Sequence, residues 1–250
     1  MSTNRELDLV VYGATGFTGR LVAEYLNQTY GVNGEIKWAM AGRSMEKLVA
    51  VRDEMAISAD VPLVVADAAD LASIEAMVKR TTVVLTTVGP YQLYGNELVA
   101  ACAATGTDYV DLCGEPAWMH TMIAEHSEAA KKSGARIVFS CGFDSVPFDL
   151  GVFFLQQHAV ATLGSTVPRV KGRVRSMKGT FSGGTLASFR ETMAAAGRDR
   201  SLIAVLRNPF ALTEGVEGAD QPLGNKPEYD EAVQSWIAPF VMASINTKNV

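Results

Sequence analysis

The sequence predicts an α/β protein built on a parallel β-sheet. Over the first 145 residues, short apolar runs of strand length alternate with longer amphipathic runs of helical period. The first run ends in a loop with glycines at every third position, "YGATGFTG", and the loop leads into a helix. Strands that alternate with helices pair in parallel and are covered on both faces. We therefore expect a Rossmann-type doubly wound sheet over residues 1–145, followed by a second, incomplete α/β unit over 146–250.

The elements of the first unit follow in order. The predicted strands are "LDLVVYG", "IKWAMAG", "PLVVAD", "TVVLTTVG", "TDYVDL" and "ARIVFSCG", at 7–13, 36–42, 62–67, 82–89, 107–112 and 135–142. The predicted helices are 19–28, 44–55, 71–80, 96–106 and 119–134. Ligands of doubly wound sheets bind beyond the carboxyl ends of the strands, so functional residues should follow each strand.

The second unit is predicted from a different pattern. A long apolar helix at 146–160 is followed by a turn at 163–168, a strand at 169–177 and a helix that begins after "SGGT" at 182–185. Residues 207–230 are rich in Pro, Gly, Asn and acidic residues, which is typical of a long surface loop. The apolar segment 236–250 is expected to form a strand without partners, which would favour self-association.

Composition excludes several classes of protein. With 48% hydrophobic and 20% charged residues the chain should be globular, and a net charge of -5 argues against a general nucleic-acid binder. No apolar stretch suits a signal peptide or a transmembrane segment. We expect a cytoplasmic protein, either free or peripheral at a membrane. Cysteine and histidine spacings predict neither disulfides nor a metal site; these residues are Cys102, Cys113, Cys141, His120, His126 and His158.

The glycine loop is predicted to bind a dinucleotide. Gly13 permits a tight turn, Gly16 lets the backbone approach a pyrophosphate, and Gly19 permits close packing of helix on strand. Free amides and the dipole at the start of the helix suit a phosphate. The groups expected to contact it are the amides of Phe17 and Thr18 and the hydroxyls of Thr15 and Thr18.

The end of the second strand favours NADP over NAD. An NAD site would place an acidic residue there, whereas this chain has Arg43 and Ser44, with Lys47 one helical turn further on. Arg43 could bind the 2′-phosphate, or it could be a solvated arginine beside a helix that Ser44 caps. Asp67, at the end of the third strand, is expected either near the adenine or in a turn.

Five motifs together resemble a known family. They are "YGATGFTG", "AGRS", "TTVGPYQLYG", "ACAATGTDYVDLCGE" and "SCGFDSVPFDLG". The combination resembles the saccharopine dehydrogenase-like oxidoreductases and is most similar to the trans-acting enoyl reductases of lipid biosynthesis. The resemblance implies an NADP-binding Rossmann domain over 1–145, and over 146–250 part of a substrate and oligomerisation domain, hence a homo-oligomer as one possibility. Proteins of this family continue beyond residue 250, so we expect this chain to bind NADPH and to turn over poorly.

The proton donor for hydride transfer is sought at the ends of the later strands. No Tyr is followed four residues later by Lys, which excludes the dyad of short-chain dehydrogenases. Gly89 and Pro90 should shape a turn beside the nicotinamide ribose. Tyr91 is the candidate catalytic residue, and a purely packing role for it is the alternative.

The loops after strands five and six supply candidate substrate contacts. Cys113 and Glu115 follow strand five, and Cys141, Asp144 and Ser145 follow strand six. The alternative for Asp144 or Ser145 is to cap the helix that contains Pro147. The cysteines could equally be small buried apolar residues.

Two features of the second unit leave a choice open. The "SGGT" helix start could hold an anionic substrate group or could be a turn with a cap. Alternating basic residues would share one face of a strand and either protect a sheet edge or receive phosphopantetheine or an acidic carrier protein. These residues are Arg169, Lys171, Arg173 and Arg175.

The sequence thus favours an NADPH-dependent oxidoreductase that reduces the double bond of an acyl substrate, either small or linked to CoA or a carrier. Two alternatives stay open. One is an amino-acid or imine oxidoreductase of the saccharopine dehydrogenase type, and the other is a non-catalytic NADP-binding regulator.

Overall fold

The computed structural model describes residues 5–32, 34–179, 182–213, 215–219 and 226–240. The strands are β1 Leu7–Tyr12, β2 Trp38–Gly42, β3 Leu63–Val65, β4 Thr81–Thr86, β5 Asp108–Asp111, β6 Ile137–Val138, β7 Glu228–Asp230 and β8 Ser235–Ile237. The helices are α1 Phe17–Tyr30, α2 Met45–Glu54, α3 Leu71–Arg80, α4 Tyr91–Tyr94, α5 Asn96–Thr105, α6 Pro116–Ser133, α7 Val146–Leu163, α8 Gly183–Arg198 and α9 Ser201–Arg207.

The first six strands form one parallel sheet in the order β3-β2-β1-β4-β5-β6. Leu9 of β1 is in register with Trp38 of β2 on one side and with Val83 of β4 on the other. From the central strand β1 the chain proceeds outward to β2 and β3 on one side of the sheet, and then from β4 to β5 and β6 on the other side. The direction of strand addition therefore reverses between β1 and β4. This confirms the predicted doubly wound fold, and it opens a crevice at the carboxyl ends of β1 and β4.

Two apolar cores lie on opposite faces of the sheet because successive side chains of a strand point to opposite sides. Val11 and Met40 pack with Leu26 of α1 and Leu48 of α2. The other core contains apolar side chains of the same strands together with residues of α3, α5 and α6, including Val10, Ala39, Ile74, Leu98 and Trp118. Helices cover both faces, as the strand–helix alternation predicts.

Most helix boundaries follow local signals in the sequence. Ser44 caps α2 by accepting a hydrogen bond from the amide of Lys47 at 3.3 Å. Asp70 caps α3 by accepting bonds from the amides of Ala72 and Ser73. Gly106 adopts a left-handed conformation after α5, with φ of 72°, where glycine is favoured. The short helix α4 was not predicted, because it follows β4 within a few residues.

The prediction of a strand at 169–177 is wrong. Residues 169–179 have no regular secondary structure. Alternating charge can place side chains on one face, but a strand also requires a partner for its backbone hydrogen bonds, and this segment pairs with none among the described residues. Arg173 is paired within the chain, since its Nε donates to Asp230 Oδ2 at 2.8 Å.

Beyond residue 145, the described residues form three helices and a small hairpin. The helices predicted after residue 145 and after "SGGT" are present as α7 and α8. The predicted loop at 207–230 is interrupted at its end by β7, and 214 and 220–225 lie outside the described residues. β8 pairs antiparallel with β7, so the start of the predicted final strand has a partner, whereas 241–250 lie outside the described residues. The domain division at residue 145 stays a prediction.

Within the described ranges, no helix combines the length and the apolar character needed to cross a bilayer.

Close packing between α1 and the glycine loop gives a test of the fold. A Cβ added at Gly19 would lie 2.1 Å from the carbonyl oxygen of Gly13, so Gly19→Ala must push helix and loop apart. We expect a loss of about 1–3 kcal/mol in the free energy of unfolding, measured by urea titration.

The matched control is Gly151→Ala in α7, where an added Cβ meets nothing within 4 Å. It should be neutral or stabilising by up to about 1 kcal/mol, because alanine favours the helix. Equal stabilities for the two variants would contradict the close approach of α1.

Candidate cofactor and substrate site

The glycine loop is held tightly at the centre of the crevice. Gly13 has a φ of 91°, and a Cβ there would lie 2.8 Å from Thr87 Oγ1 and 2.8 Å from Val88 Cγ2. The amide of Gly13 donates to the carbonyl of Ala41 at 2.9 Å, which fixes the loop to β2. Gly13 therefore serves the tight turn that the sequence predicts, and it also lets the end of β4 approach.

The first turn of α1 presents backbone amide donors to this crevice. Gly16 occupies the cap position in an extended conformation and makes no side-chain cap. The amides of Phe17, Thr18 and Gly19 are the first of the helix and have no intrahelical acceptor. Together with the helix dipole they suit a phosphate group. Thr15 lies within the same loop and is half-buried.

The end of β2 is followed by a basic residue, Arg43, and a second one, Lys47, lies in the first turn of α2. Arg43 and Lys47 are exposed beside the half-buried Ser44. The oxygen of Ser44 accepts the cap bond of α2, and its hydroxyl hydrogen is still able to donate. A Cβ on Gly42 would lie 3.8 Å from Thr15 Cγ2, so the end of β2 adjoins the glycine loop. The arrangement fits a 2′-phosphate next to a pyrophosphate.

Asp67 lies in a turn close to the end of β1. Its Oδ1 accepts from the amide of Ala69 at 3.0 Å, and its carbonyl accepts from the hydroxyl of Ser73 at 3.3 Å. Burial and the negative charge of Asp67 raise the pKa of Tyr12 to about 12, while Arg43 lowers it. The side chains of Tyr12, Asp67 and Arg43 therefore share one region at the ends of β1, β2 and β3. The turn role of Asp67 is visible, and contact with adenine stays a prediction.

Tyr91 follows the Gly89–Pro90 turn but points into the protein. Its ring is 5% exposed and lies 5.5 Å from that of Trp118, measured between centroids. Its hydroxyl donates to the carbonyl of Thr86 at 3.3 Å and accepts from the amide of Leu112 at 3.4 Å. Burial raises the pKa of Tyr91 far above its usual value. This geometry favours the packing alternative, and the catalytic role stays a prediction.

Glu115 and Cys113 also lie in the interior. Glu115 is 2% exposed, and its carboxylate accepts from the backbone amides of Tyr91 and Gln92 at 2.9 and 3.0 Å. Cys113 Sγ accepts from the amide of Glu115 at 3.3 Å. Burial and neighbouring carboxylates raise the pKa of the Cys113 thiol, which therefore stays protonated. Direct contact of either side chain with substrate stays a prediction.

The residues predicted after β6 are spread over different environments. Cys141 is exposed at the surface. Partial burial of its thiol group and the negative charge of Asp111 raise the pKa of this thiol. Partial burial raises the pKa of Asp144. Ser145 occupies the cap position of α7, but its hydroxyl makes no cap bond. At the other predicted helix start, Ser182 does cap α8, by accepting from the amide of Thr185 at 3.2 Å.

A buried aspartate that the sequence analysis did not single out connects the two later loops. Asp111 ends β5 and is 3% exposed. Its Oδ1 accepts from the amides of Cys113 at 3.0 Å and Ser140 at 2.7 Å, and its Oδ2 accepts from the hydroxyl of Tyr109 at 2.7 Å. Burial raises the pKa of Asp111 to about 6, although these hydrogen bonds lower it. The sequence signal that could have identified Asp111 is its position at the carboxyl end of a predicted strand.

Among the described residues, no group of three or more His, Cys, Asp or Glu side chains is arranged to hold a metal ion.

These features define a dinucleotide-binding Rossmann domain with a basic residue where NAD-specific sites carry an acid. Residues 9–138 match the family described as the saccharopine dehydrogenase NADP binding domain. The chain belongs to this family, whose members are NADP-linked oxidoreductases, and the prediction of NADP as cofactor is confirmed. The match extends from β1 to β6.

Curated relatives extend the similarity over the whole chain. A protein of Mycobacterium tuberculosis named as a candidate trans-acting enoyl reductase is 44% identical over 259 aligned residues, covering 100% of this chain and 61% of the relative. A trans-acting enoyl reductase of Mycobacterium ulcerans is 40% identical over 260 aligned residues, with the same two coverages of 100% and 61%. The chain thus spans about three fifths of the length of these relatives.

Solved structures resemble the chain more distantly. Apo saccharopine dehydrogenase (L-Glu forming) from Saccharomyces cerevisiae aligns with a TM-score of 0.44 and 17% identity, over 62% of this chain and 32% of that one. A triphenylmethane reductase of Citrobacter sp. complexed with NADP(H) aligns with a TM-score of 0.42 and 18% identity, over 62% of this chain and 54% of that one.

The raised pKa of Asp111 predicts a pH dependence of stability. The folded pKa of about 6 lies above the ordinary value of 3.8, so the folded state holds this proton more tightly than the unfolded state does. Between about pH 4 and pH 6 this group therefore makes the protein less stable as pH rises, by roughly 3 kcal/mol in total. Asp111→Asn keeps the acceptor for both amides and removes the titration.

The measurement is the difference in free energy of unfolding between the parent protein and Asp111→Asn from pH 4 to pH 7. The parent protein should lose stability relative to the variant as pH rises. Tyr109→Phe removes a hydrogen bond that favours the carboxylate, so it should move this change to higher pH. A difference independent of pH would contradict the assignment.

Proposed function

We propose that this chain is the NADP-binding part of an oxidoreductase that reduces the double bond of an acyl chain held as a thioester, on CoA or on a carrier. NADPH supplies hydride to one carbon of the double bond, and a proton adds to its neighbour. The observation that carries the proposal is the identity to proteins named trans-acting enoyl reductases. That identity covers all of the chain, including 146–250, beyond the matched NADP-binding segment.

The adenosine half of the cofactor is assigned to the glycine loop and the end of β2. The amides of Phe17 and Thr18 would bind the pyrophosphate, with the hydroxyls of Thr15 and Thr18 as additional donors. Arg43 would bind the 2′-phosphate through its planar guanidinium, assisted by Ser44 and Lys47. These groups are supported by their common position at the carboxyl edge of the sheet.

The nicotinamide half is assigned to the turn of Gly89 and Pro90. Beside this turn, Pro90 and Leu93 form one wall of a groove of about 350 Å³, and Leu186 and Ala187 of α8 form the other. Gly183, Arg190 and Glu191 of α8 also line the groove. A groove with apolar walls next to the hydride donor suits the apolar part of an acyl substrate.

We assign the role of proton donor to a group other than the buried hydroxyl of Tyr91, or to water. A general acid has to reach the proton acceptor in a plausible substrate pose. Tyr91 is bonded to two backbone groups inside the fold. Its proposed role is to hold the turn of Gly89 and Pro90 against β5.

Self-association belongs to the same proposal. α7 exposes large apolar side chains, with Phe153 at 61% and Phe154 at 75% exposure. Several exposed large apolar side chains on one helix are typical of an interface or of contact with a membrane. A cytoplasmic location, with or without peripheral membrane contact, stays a prediction.

The activity test measures NADPH oxidation with two classes of substrate. One is a trans-2-enoyl thioester of CoA, and the other is a 2-oxo acid supplied with an amine. The assay uses the chain of 250 residues and, in parallel, a chimera in which this chain replaces the matching 61% of the Mycobacterium ulcerans relative. Reduction of the enoyl thioester by either protein is the expected result.

The other outcomes each contradict the proposal. Reduction of the imine formed from the 2-oxo acid would favour an amino-acid oxidoreductase. NADPH binding without turnover of any substrate, in both proteins, would favour a non-catalytic regulator.

Arg43 should set the preference for NADPH over NADH. Each charge-assisted hydrogen bond to the 2′-phosphate contributes about 1.5–3 kcal/mol, or roughly ten- to a hundredfold in affinity. Arg43→Ala should therefore weaken NADPH by about that factor and leave NADH nearly unchanged, as measured by fluorescence titration.

The control is Arg136→Ala. Arg136 directly precedes β6, the strand at the far side of the sheet from β2 and β3, and pairs there with Asp108. This variant should leave both affinities unchanged. An equal loss of affinity for NADPH and for NADH in Arg43→Ala would contradict the assignment of Arg43 to the 2′-phosphate site.

A further inference from the structure

We infer that Glu115 is a positioning residue: its buried carboxylate holds the turn that contacts the nicotinamide half of NADP and joins that turn to α8. The inference rests on the proposed function, because the turn of Gly89 and Pro90 is assigned there to the nicotinamide. It gives Glu115 a role through neighbouring groups in place of the substrate contact that the sequence suggests.

Four donors converge on the two oxygens of Glu115. Oε1 accepts from the amide of Tyr91 at 2.9 Å and from the hydroxyl of Ser188 at 2.7 Å. Oε2 accepts from both the amide and the side-chain Nε2 of Gln92, each at 3.0 Å. The side chain is 2% exposed. One carboxylate thus bonds to the start of α4 and to α8 from the loop between β5 and α6.

The arrangement requires a group that only accepts hydrogen bonds. In the part of the chain that the structure describes, the hydrogen bonds to Glu115 come from uncharged donors, and none comes from a lysine or arginine. A glutamine at this position would turn an NH₂ group toward one of the donors, leaving a buried donor unpaired. Breaking these contacts should therefore displace the turn and leave the rest of the sheet in place.

The held turn lies between the glycine loop and α8. The amides that Glu115 fixes belong to the residues directly after Pro90. Just before the turn, Thr87 and Val88 pack against Gly13, whose missing Cβ they would contact at 2.8 Å. The turn is thereby fixed at both ends, by the glycine loop on one side and by Glu115 on the other. If the end of the turn that Glu115 holds is displaced, the nicotinamide side of the crevice changes and the adenosine side does not.

The same carboxylate determines where α8 rests. Ser188 and Thr192 are one helical turn apart and face the turn. The first donates to Glu115, and Thr192 Oγ1 lies 3.5 Å from Gln92 Nε2. The groove between Pro90, Leu93 and α8 is bounded by residues next to these contacts. Loss of the Ser188 bond should widen this groove without moving the turn itself.

The test compares two ligands that differ at one end. NADPH carries the nicotinamide, and 2′-phospho-ADP-ribose lacks it but keeps the 2′-phosphate and pyrophosphate. Glu115→Gln should weaken NADPH about ten- to a hundredfold, because small displacements of a bound group have large effects, and should leave the affinity of 2′-phospho-ADP-ribose unchanged. Both affinities are measured by isothermal titration.

Further variants keep the test decisive if Glu115→Gln does not fold. Gln92→Ala removes one donor and leaves the backbone amide in place, so it should weaken NADPH in the same selective way by a smaller factor. Ser188→Ala should leave both affinities unchanged and raise KM for an enoyl thioester, and Ser188→Thr should restore the parent KM. Ser201→Ala, on α9, is the matched hydroxyl control.

Equal weakening of both ligands by Glu115→Gln or Gln92→Ala would overturn the inference, and so would no change in either. Failure of the parent protein to bind either ligand would overturn the proposed cofactor site, and the inference with it. A third result would be that the parent protein does not reduce the enoyl thioester, while Glu115→Gln still loses affinity for NADPH alone. This result would contradict the proposed reaction and support the role of Glu115.

Discussion

The close approach of α1 to the turn after β1 is the constraint on which the cofactor site depends. The carbonyl of Gly13 occupies the space that a Cβ on Gly19 would need, and Gly13 itself has no room for a side chain beside Thr87 and Val88. The first turn of α1 is thereby brought to the carboxyl ends of β1 and β4, where the strand order reverses. Its amides are the groups that we assign to the pyrophosphate, and Arg20 lies at the same loop, with its Nε 3.4 Å from the carbonyl oxygen of Thr15.

The two halves of the crevice are built by different means. Glycines and backbone hydrogen bonds to β2 shape the half that we assign to the adenosine, and Arg43 adds charge at its outer end. Buried carboxylates shape the other half, where strands β5 and β6 are short and loops replace regular structure. Asp111 holds the backbone of the loops after β5 and β6, while Glu115 holds the turn after β4. Removing such carboxylates from water is costly, so their retention here is consistent with a requirement for defined geometry.

The sequence predicts the sheet and the cofactor loop because both depend on short-range signals. Periodicity identifies the strands, and the spacing of Gly13, Gly16 and Gly19 identifies the turn and helix start. The strand at 169–177 was wrong because alternating charge does not supply a pairing partner. The contacts of Asp111 with Ser140 and of Glu115 with Tyr91 and Ser188 could not be predicted, since they join residues 24 to 73 positions apart. For the same reason the inward direction of Tyr91 was not visible, as it depends on packing against Trp118.

A crystal structure of this chain with NADPH tests the central claim most directly, which is that the carboxyl edge of the sheet orders the cofactor from Arg43 to Pro90. The account predicts the 2′-phosphate within hydrogen-bonding distance of Arg43, the pyrophosphate against the amides of Phe17 and Thr18, and the nicotinamide beside Gly89 and Pro90. A 2′-phosphate bound away from Arg43, or a nicotinamide outside the crevice between β1 and β4, would contradict it.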